Sequence, residues 1–279
     1  MSAINPPALP EHLYIRLSDE RICIARYDAL RPAAFAFSVF RPEHSKPLGP
    51  NLIHMAESEE LLKAPARGST YVLIDTPATY VPLADFQESE CETLYRFCFP
   101  KHNQHRIFYD VVGAADSVVI FGLREEICQA LENAIDNVIY ASSHTALLRH
   151  FATKGANVCT AQRFFINLHE KATDIYVFDH NRLTLANTFA SEDVMDTIYY
   201  ALNIASQTGA RLTAGDGTPA LAATPFYVSG EESRRLAVSR EMRRFADEVI
   251  AIQPTAEFNR HVIAGTPGVP YALMVHLSG

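Results

Sequence analysis

FFINLHEKATDIYVFD, residues 164–179, is the stretch whose reading decides the fold. An apolar run, the polar residues His169, Glu170 and Lys171, and a second run rich in β-branched and aromatic residues predict two strands joined by a tight turn. The same layout occurs once before, in LYIRLSDERICIARYD at 13–28. Both stretches pass from apolar strand to polar turn to apolar strand and close on an Asp. Each opens a strand–strand–strand–helix series with further β/α units behind it, and two halves with one element order predict a duplicated α/β protein.

Working outward, AAFAFSVF (33–40) supplies a third strand and the proline-rich RPEHSKPLGPN (41–51) reads as a loop. YVLIDTP (71–77) is a β-branched run ending at Pro77, which predicts a buried parallel strand. A helix is expected over 83–99, stopped by Pro100, followed by strands at 106–112 and 117–122. REEICQALENAI (124–135) reads as a helix, VIYAS (138–142) as a short strand, and HTALLRHFATKG (144–155) as a helix capped by Gly155. In the second half, FFINL, TDIYVFD and RLTLANTF are three successive strands. Ser191 is the expected N-cap of a helix whose Val194, Ile198, Ala201, Leu202 and Ala205 form an inward stripe. TAGDGTPALAAT (213–224) reads as a flexible loop; PFYVSG, EVIAI and YALMVHL (271–277) read as further strands. The expected domains are a loose arm at 1–10 and two similar lobes, 11–155 and 156–279, with a cleft between them.

The chain has 279 residues, 48% apolar and 20% charged, the make-up of an ordinary soluble globular protein. Its net charge of −8 argues against broad nucleic-acid binding, which needs a positive face to displace counterions. The arginine-rich stretch Arg234, Arg235, Arg240, Arg243 and Arg244 is a local exception, read as the solvated face of a helix whose Val238, Met242 and Phe245 point inward. Five widely spaced cysteines without a C-x-x-C pair fit a reducing compartment better than a disulfide framework. With neither a signal peptide in MSAINPPALPEH nor an apolar run long enough to span a membrane, a cytoplasmic location without an integral membrane segment is expected.

The element order β-β-β-α-β-α, taken twice with a hairpin opening each half, resembles the actin-like ATPase superfamily (actin, heat-shock chaperone ATPase domains, sugar kinases). Within it the chain is similar to an uncharacterised bacterial family catalogued as domain of unknown function 3822. The residues that carry this are the opening hairpin, YVLIDTPATYVPL (71–83) and the YVSGEES–helix unit from Tyr227. That family looks like a relative of actin-like scaffolds of pilus assembly and type II secretion. The resemblance implies an actin-like fold, with duplicated ribonuclease H-like lobes and a central cleft, and supplies no reaction.

ATP chemistry in such a fold needs backbone N–H groups close to phosphate, which favours glycine in each hairpin turn, and an Asp in each half to position Mg²⁺ or water. The first turn here is Leu17-Ser18-Asp19-Glu20, with no glycine. The second has Asn167 and His169 where Asp and Gly are expected, with Lys171 the nearest cation. Ser191-Glu192-Asp193 already satisfies the following helix end, and of a glycine pair before the late helix only Gly230, after Ser229, is present. Ser18, Asp19, Asn167, His169, Lys171, Ser229 and Gly230 are the candidate residues of the inter-lobe cleft. Four positions depart from the ATPase pattern together, so the expectation is a degenerate nucleotide site.

Other chemistry finds little in the sequence. His102-x-x-His105 has no cysteine or carboxylate cluster to complete a metal site and is read as two solvent-facing histidines. His144 and His150 fall on nearly opposite faces of one helix. VSGEES is not G-x-S-x-G, Cys159 has no local signature, and GDG at 215–217 is a turn and not a phosphate fingerprint. The expectation is therefore a non-catalytic scaffold or partner-binding protein, with no catalytic or metal-ligating residue, no cofactor and a protein partner. The alternative is a Mg²⁺-dependent ATPase or kinase with divergent phosphate loops, and only that alternative calls for ATP and Mg²⁺. Self-assembly is a third possibility that sequence does not separate from the first.

Overall fold

The computed structural model describes residues 11–18, 20–64, 68–154, 162–214, 222–259 and 261–278. The readings at 1–10, Asp19, Gly155, Cys159 and 215–217 lie outside these residues. The first half runs β1 (His12–Leu17), β2 (Ile22–Tyr27), β3 (Ala36–Phe40), α1 (Leu48–Ser58), α2 (Glu60–Lys63) and β4 (Thr70–Ile74). It continues with β5 (Ala78–Pro82), α3 (Cys91–Cys98), β6 (His105–Val112), β7 (Ser117–Arg124), α4 (Glu125–Ala134), β8 (Val138–Ser142) and α5 (Ser143–Thr153). The second half is β9 (Gln162–Leu168), β10 (Ala172–Asp179), β11 (Arg182–Ala190), α6 (Val194–Thr208), β12 (Phe226–Gly230) and α7 (Glu232–Met242). β13 (Val249–Ala251), α8 (Pro254–Glu257), α9 (Val262–Gly265) and α10 (Tyr271–Ser278) close the chain.

The duplication is explicit in the sheets. One has the order β3-β2-β1-β4-β8 and the other β11-β10-β9-β12-β13. In each, three antiparallel strands are extended by two parallel ones across the first strand of the half. A third sheet, β5-β7-β6, is inserted between β4 and β8 of the first half.

Alternation along the strands explains how the layers form. In the first sheet Ile15, Ile22 and Ile24 face Leu52 and Met55 of α1, while Cys23, Ala25 and Leu73 face Leu273 and Leu277 of α10. In the second, Phe164, Ile166, Ile175 and Val177 pack on Ile198, Ala201 and Ala205 of α6 and on Val238 and Met242 of α7. Its other face receives α5: Phe151 stacks on Phe165 with ring centroids 4.4 Å apart. Burying one such ring stabilises by about 1.5–3 kcal/mol. The last helix of each half thus reaches toward the other half's sheet, and Phe151 and Tyr271 meet between them at 6.2 Å.

Several local readings are corrected. Residues 271–277 form helix α10 and not a strand; a helix whose Tyr271, Ala272, Leu273, Met274, Val275 and Leu277 are all buried has no amphipathic period to announce it. The loop read over 41–51 gives way to α1 at Leu48, because a proline in the first turn of a helix sacrifices no hydrogen bond. The helix expected over 83–99 is regular only from Cys91; Leu83–Asp85 and Glu88–Glu90 are single 3₁₀ turns. Asp193, not Ser191, caps α6, in a capping box with Asp196. His102 and His105 are half-buried, with rings stacked 4.3 Å apart, and His102 pairs with the Tyr95 hydroxyl at 2.9 Å.

Candidate functional site

The parallel registers of β1 with β4 and of β9 with β12 bring the ends of these strands together, Leu17 beside Ile74 and Leu168 beside Gly230. At this edge the two hairpin turns of the duplicated halves face one another. β1 and β9 are central strands covered on both faces, so any polar side chain near their ends must find partners inside the protein.

Arg16 is the key group. It lies on the β1 face opposite Ile15, its side chain 3% exposed, in ion-pair contact with Asp75 just past the end of β4. Its Nη2 also lies 3.3 Å from His169 Nδ1. His169 pairs through Nε2 with the Asp174 carboxylate of β10. Asp174 further accepts from Thr188 Oγ1 at 2.8 Å and from Asn167 Nδ2 at 3.1 Å. Ser229 donates to Asn167 Oδ1 at 3.0 Å, and His144 of α5 pairs with the Tyr176 hydroxyl at 2.6 Å. A continuous buried network therefore runs from the end of β4 across both hairpins to β12.

The charges in this network set one another. Burial alone would lower the pKa of His169, but the adjacent Asp174 carboxylate outweighs it and the value is raised. Burial likewise opposes ionisation of Asp174, and the histidines and hydroxyl donors around it prevail, so its pKa is lowered. Burial works against the Arg16 charge too, and Asp75 more than restores it. Two carboxylates that could have faced a metal ion already have protein partners: Asp75 the Arg16 guanidinium and Asp174 the His169 imidazole. Among the described residues no three His, Cys, Asp or Glu side chains form a metal-holding group.

The turns themselves are stapled to each other. Arg21 of the first meets Glu170 of the second at 2.5 Å, and Glu20 meets Lys171 at 2.6 Å. Ser18 closes its own turn, its Oγ donating to the Arg21 carbonyl at 2.9 Å. Arg234 of α7 donates to the carbonyls of His169, Glu170 and Ser191, which fastens the second turn from behind. Gly230 has φ +119°, and a Cβ there would lie 2.6 Å from the Leu168 carbonyl oxygen. Close backbone packing of β12 on β9 thus requires the glycine on its own account.

Of the candidates read from sequence, Ser18, Asn167, His169, Lys171, Ser229 and Gly230 gather at this edge, and Asp19 lies outside the described residues. Lys171 stays largely exposed apart from its pairing with Glu20. Sequence reasoning missed Arg16, Asp75, His144, Asp174 and Tyr176. The available signal was a charge inside an apolar strand, as in LYIRL and TDIYV, which marks a functional or paired group when both faces of the strand are covered. Arg240 on α7 and Arg244 beyond its end are exposed as read, whereas Arg234 and Arg235 of α7 turn into the site.

Two cavities flank the junction. One, of about 880 Å³, is lined by Arg16, Arg21, Arg41, Arg234 and Arg235 together with Glu170. The other, of about 210 Å³, lies on the side of Asp75, His144, His169 and Asp174.

The comparisons fit this geometry. A profile described as "Protein of unknown function (DUF3822)" matches residues 8–211. A protein of Bacteroides thetaiotaomicron with actin-like ATPase fold and unknown function superposes with a TM-score of 0.76 at 21% identity, covering 95% of each chain. A chain of a PilM–PilN type IV pilus biogenesis complex gives 0.57 at 13% identity, over 98% of each chain. The ethanolamine utilization protein EutJ of Carboxydothermus hydrogenoformans gives 0.50 at 12%, over 99% of this chain and 92% of its own. No curated protein matches the sequence. The fold is the actin-like ATPase fold.

Proposed function

We propose that this chain, which belongs to the family of proteins of unknown function DUF3822, is a non-catalytic actin-like protein that binds a protein partner as a scaffold. The observation that carries the reading is Arg16: a buried guanidinium stands between the two hairpins and takes the Asp75 carboxylate for itself. Phosphoryl transfer in this fold relies on carboxylates that hold a cation and on open backbone donors. Here Asp75 is taken by the Arg16 guanidinium and Asp174 by His169, and two ion pairs draw the hairpins together where phosphates would enter. The PilM neighbour is one component of a complex, which supports a partner-binding role by analogy of fold alone. Among the described residues no helix is long and apolar enough to cross a membrane, so the scaffold would meet its partner from the aqueous side.

Steady-state hydrolysis of ATP and GTP with Mg²⁺ tests the reading. Turnover is expected to be indistinguishable from buffer. Turnover abolished by Asp174→Asn would replace this reading with that of a Mg²⁺-dependent ATPase or kinase with divergent phosphate loops.

A further inference from the structure

Three of the arginines lining the larger cavity share a feature. Arg16, Arg234 and Arg235 each carry a buried Nε without a hydrogen-bond partner, and Arg16 also has a bare Nη1. Unpartnered buried donors are uncommon, and several on one cavity point to a ligand that accepts hydrogen bonds. Of the other carboxylates on this cavity, Glu20 pairs with Lys171, Glu231 is the N-cap of α7 and Glu232 is exposed to solvent. Glu170 reaches into this arginine group from the second turn and meets Arg21 Nε at 2.5 Å. It is held ionised against burial by Arg16 and Arg21.

We propose that this cavity binds a small oxyanion, a carboxylate or phosphate, directly on Arg16 and Arg21 without a metal ion, and that Glu170 is a tethered carboxylate occupying the ligand's place. The inference rests on the reading that this cleft has left Mg²⁺–nucleotide chemistry. A guanidinium at the junction repels a divalent cation and offers an oxyanion paired, directional donors. The Glu170 carboxylate already makes that contact with Arg21, so it reports the chemistry the site accepts. A ligand displaces it toward solvent, where its side chain is already 29% exposed. Displacement also breaks the Arg21–Glu170 staple, so occupancy is read out as a loosened contact between the two turns.

Isothermal titration of the intact protein, stripped of metal and desalted into metal-free buffer, with inorganic phosphate and citrate as the two probes, tests this. At least one probe is expected to bind. Glu170→Gln, which removes the competing charge, should tighten that binding about tenfold, and Arg21→Met should weaken it by at least as much. Arg21 is partly exposed, so its replacement leaves the buried Arg16–Asp75 pair in place. Preference for phosphate or for citrate tells a phosphate-bearing ligand from a polycarboxylate. Failure of both probes to bind wild type and Glu170→Gln overturns the proposal, as does binding indifferent to both substitutions. A parallel titration with ATP and Mg²⁺ separates the two readings: EDTA-sensitive nucleotide binding overturns both, whereas silence of every ligand overturns this one alone.

Discussion

Arg16 and Asp75 illustrate how much of this molecule is decided by single charges. Both are removed from water, so their mutual attraction must offset two desolvation penalties. Such a pair adds little net stability, yet losing one partner strands the other. Arg16→Met leaves the Asp75 carboxylate uncompensated and should destabilise the protein by roughly 3–5 kcal/mol in urea unfolding. Asp75→Asn in the same chain should restore much of that loss. His169 gives a pH signature. Its folded pKa lies above its unfolded value near 6.5, so its contribution is complete below about pH 6.5 and is lost as pH rises through the folded pKa. Asp174, with a lowered pKa, contributes above its unfolded value near 3.8 and loses that contribution as pH falls further. Stability measured against pH should therefore decline on the alkaline side, and His169→Gln should flatten that decline while lowering stability at pH 6.

At the scale of elements, the two hairpins do the work of joining the halves, and the β9–β12 pair sets their geometry. Gly230→Ala places a Cβ against the Leu168 carbonyl at a backbone angle that side chains avoid, and should destabilise by roughly 1–3 kcal/mol in thermal unfolding, with no nucleotide present to mask it. The hairpins were legible because a polar turn between alternating runs leaves few other readings, and their repetition exposed the duplication and the element order of each half. The turns' lack of glycine was legible for the same reason. The groups that fill the space were not, because Arg16 finds Asp75 in a distant segment and Asp174 finds His169 across a turn. Alternation alone assigns such residues to a water-facing side. α10 was misread for a related reason: a helix buried on nearly all sides carries no period, and Pro270 before it marks a break without specifying the type of the next element.

Seen whole, the molecule is two copies of one sheet order held together by their last helices and by the stapled turns. Glu257 of α8 joins the helices, bonding His150 of α5, Lys154 just past its end and the Tyr271 hydroxyl of α10 at 2.8 Å. The hydrogen bonds from His150 and Lys154 and the Lys154 charge outweigh burial and bring its pKa down to about 2, so the Glu257 carboxylate stays charged across the neutral range. Any movement of one half against the other would have to act against this joint and against the ion pairs at the hairpins. The most direct measurement is thermal unfolding of the purified protein with ATP, ADP and GTP, each in Mg²⁺ and in EDTA. A ligand at a thousand times its Kd stabilises the native state by about 4 kcal/mol, an easily measured shift. No Mg²⁺-dependent shift with any nucleotide is the expected result. A clear shift that EDTA abolishes would contradict the reading of Arg16 as the occupant of a site that Mg²⁺–nucleotide has left.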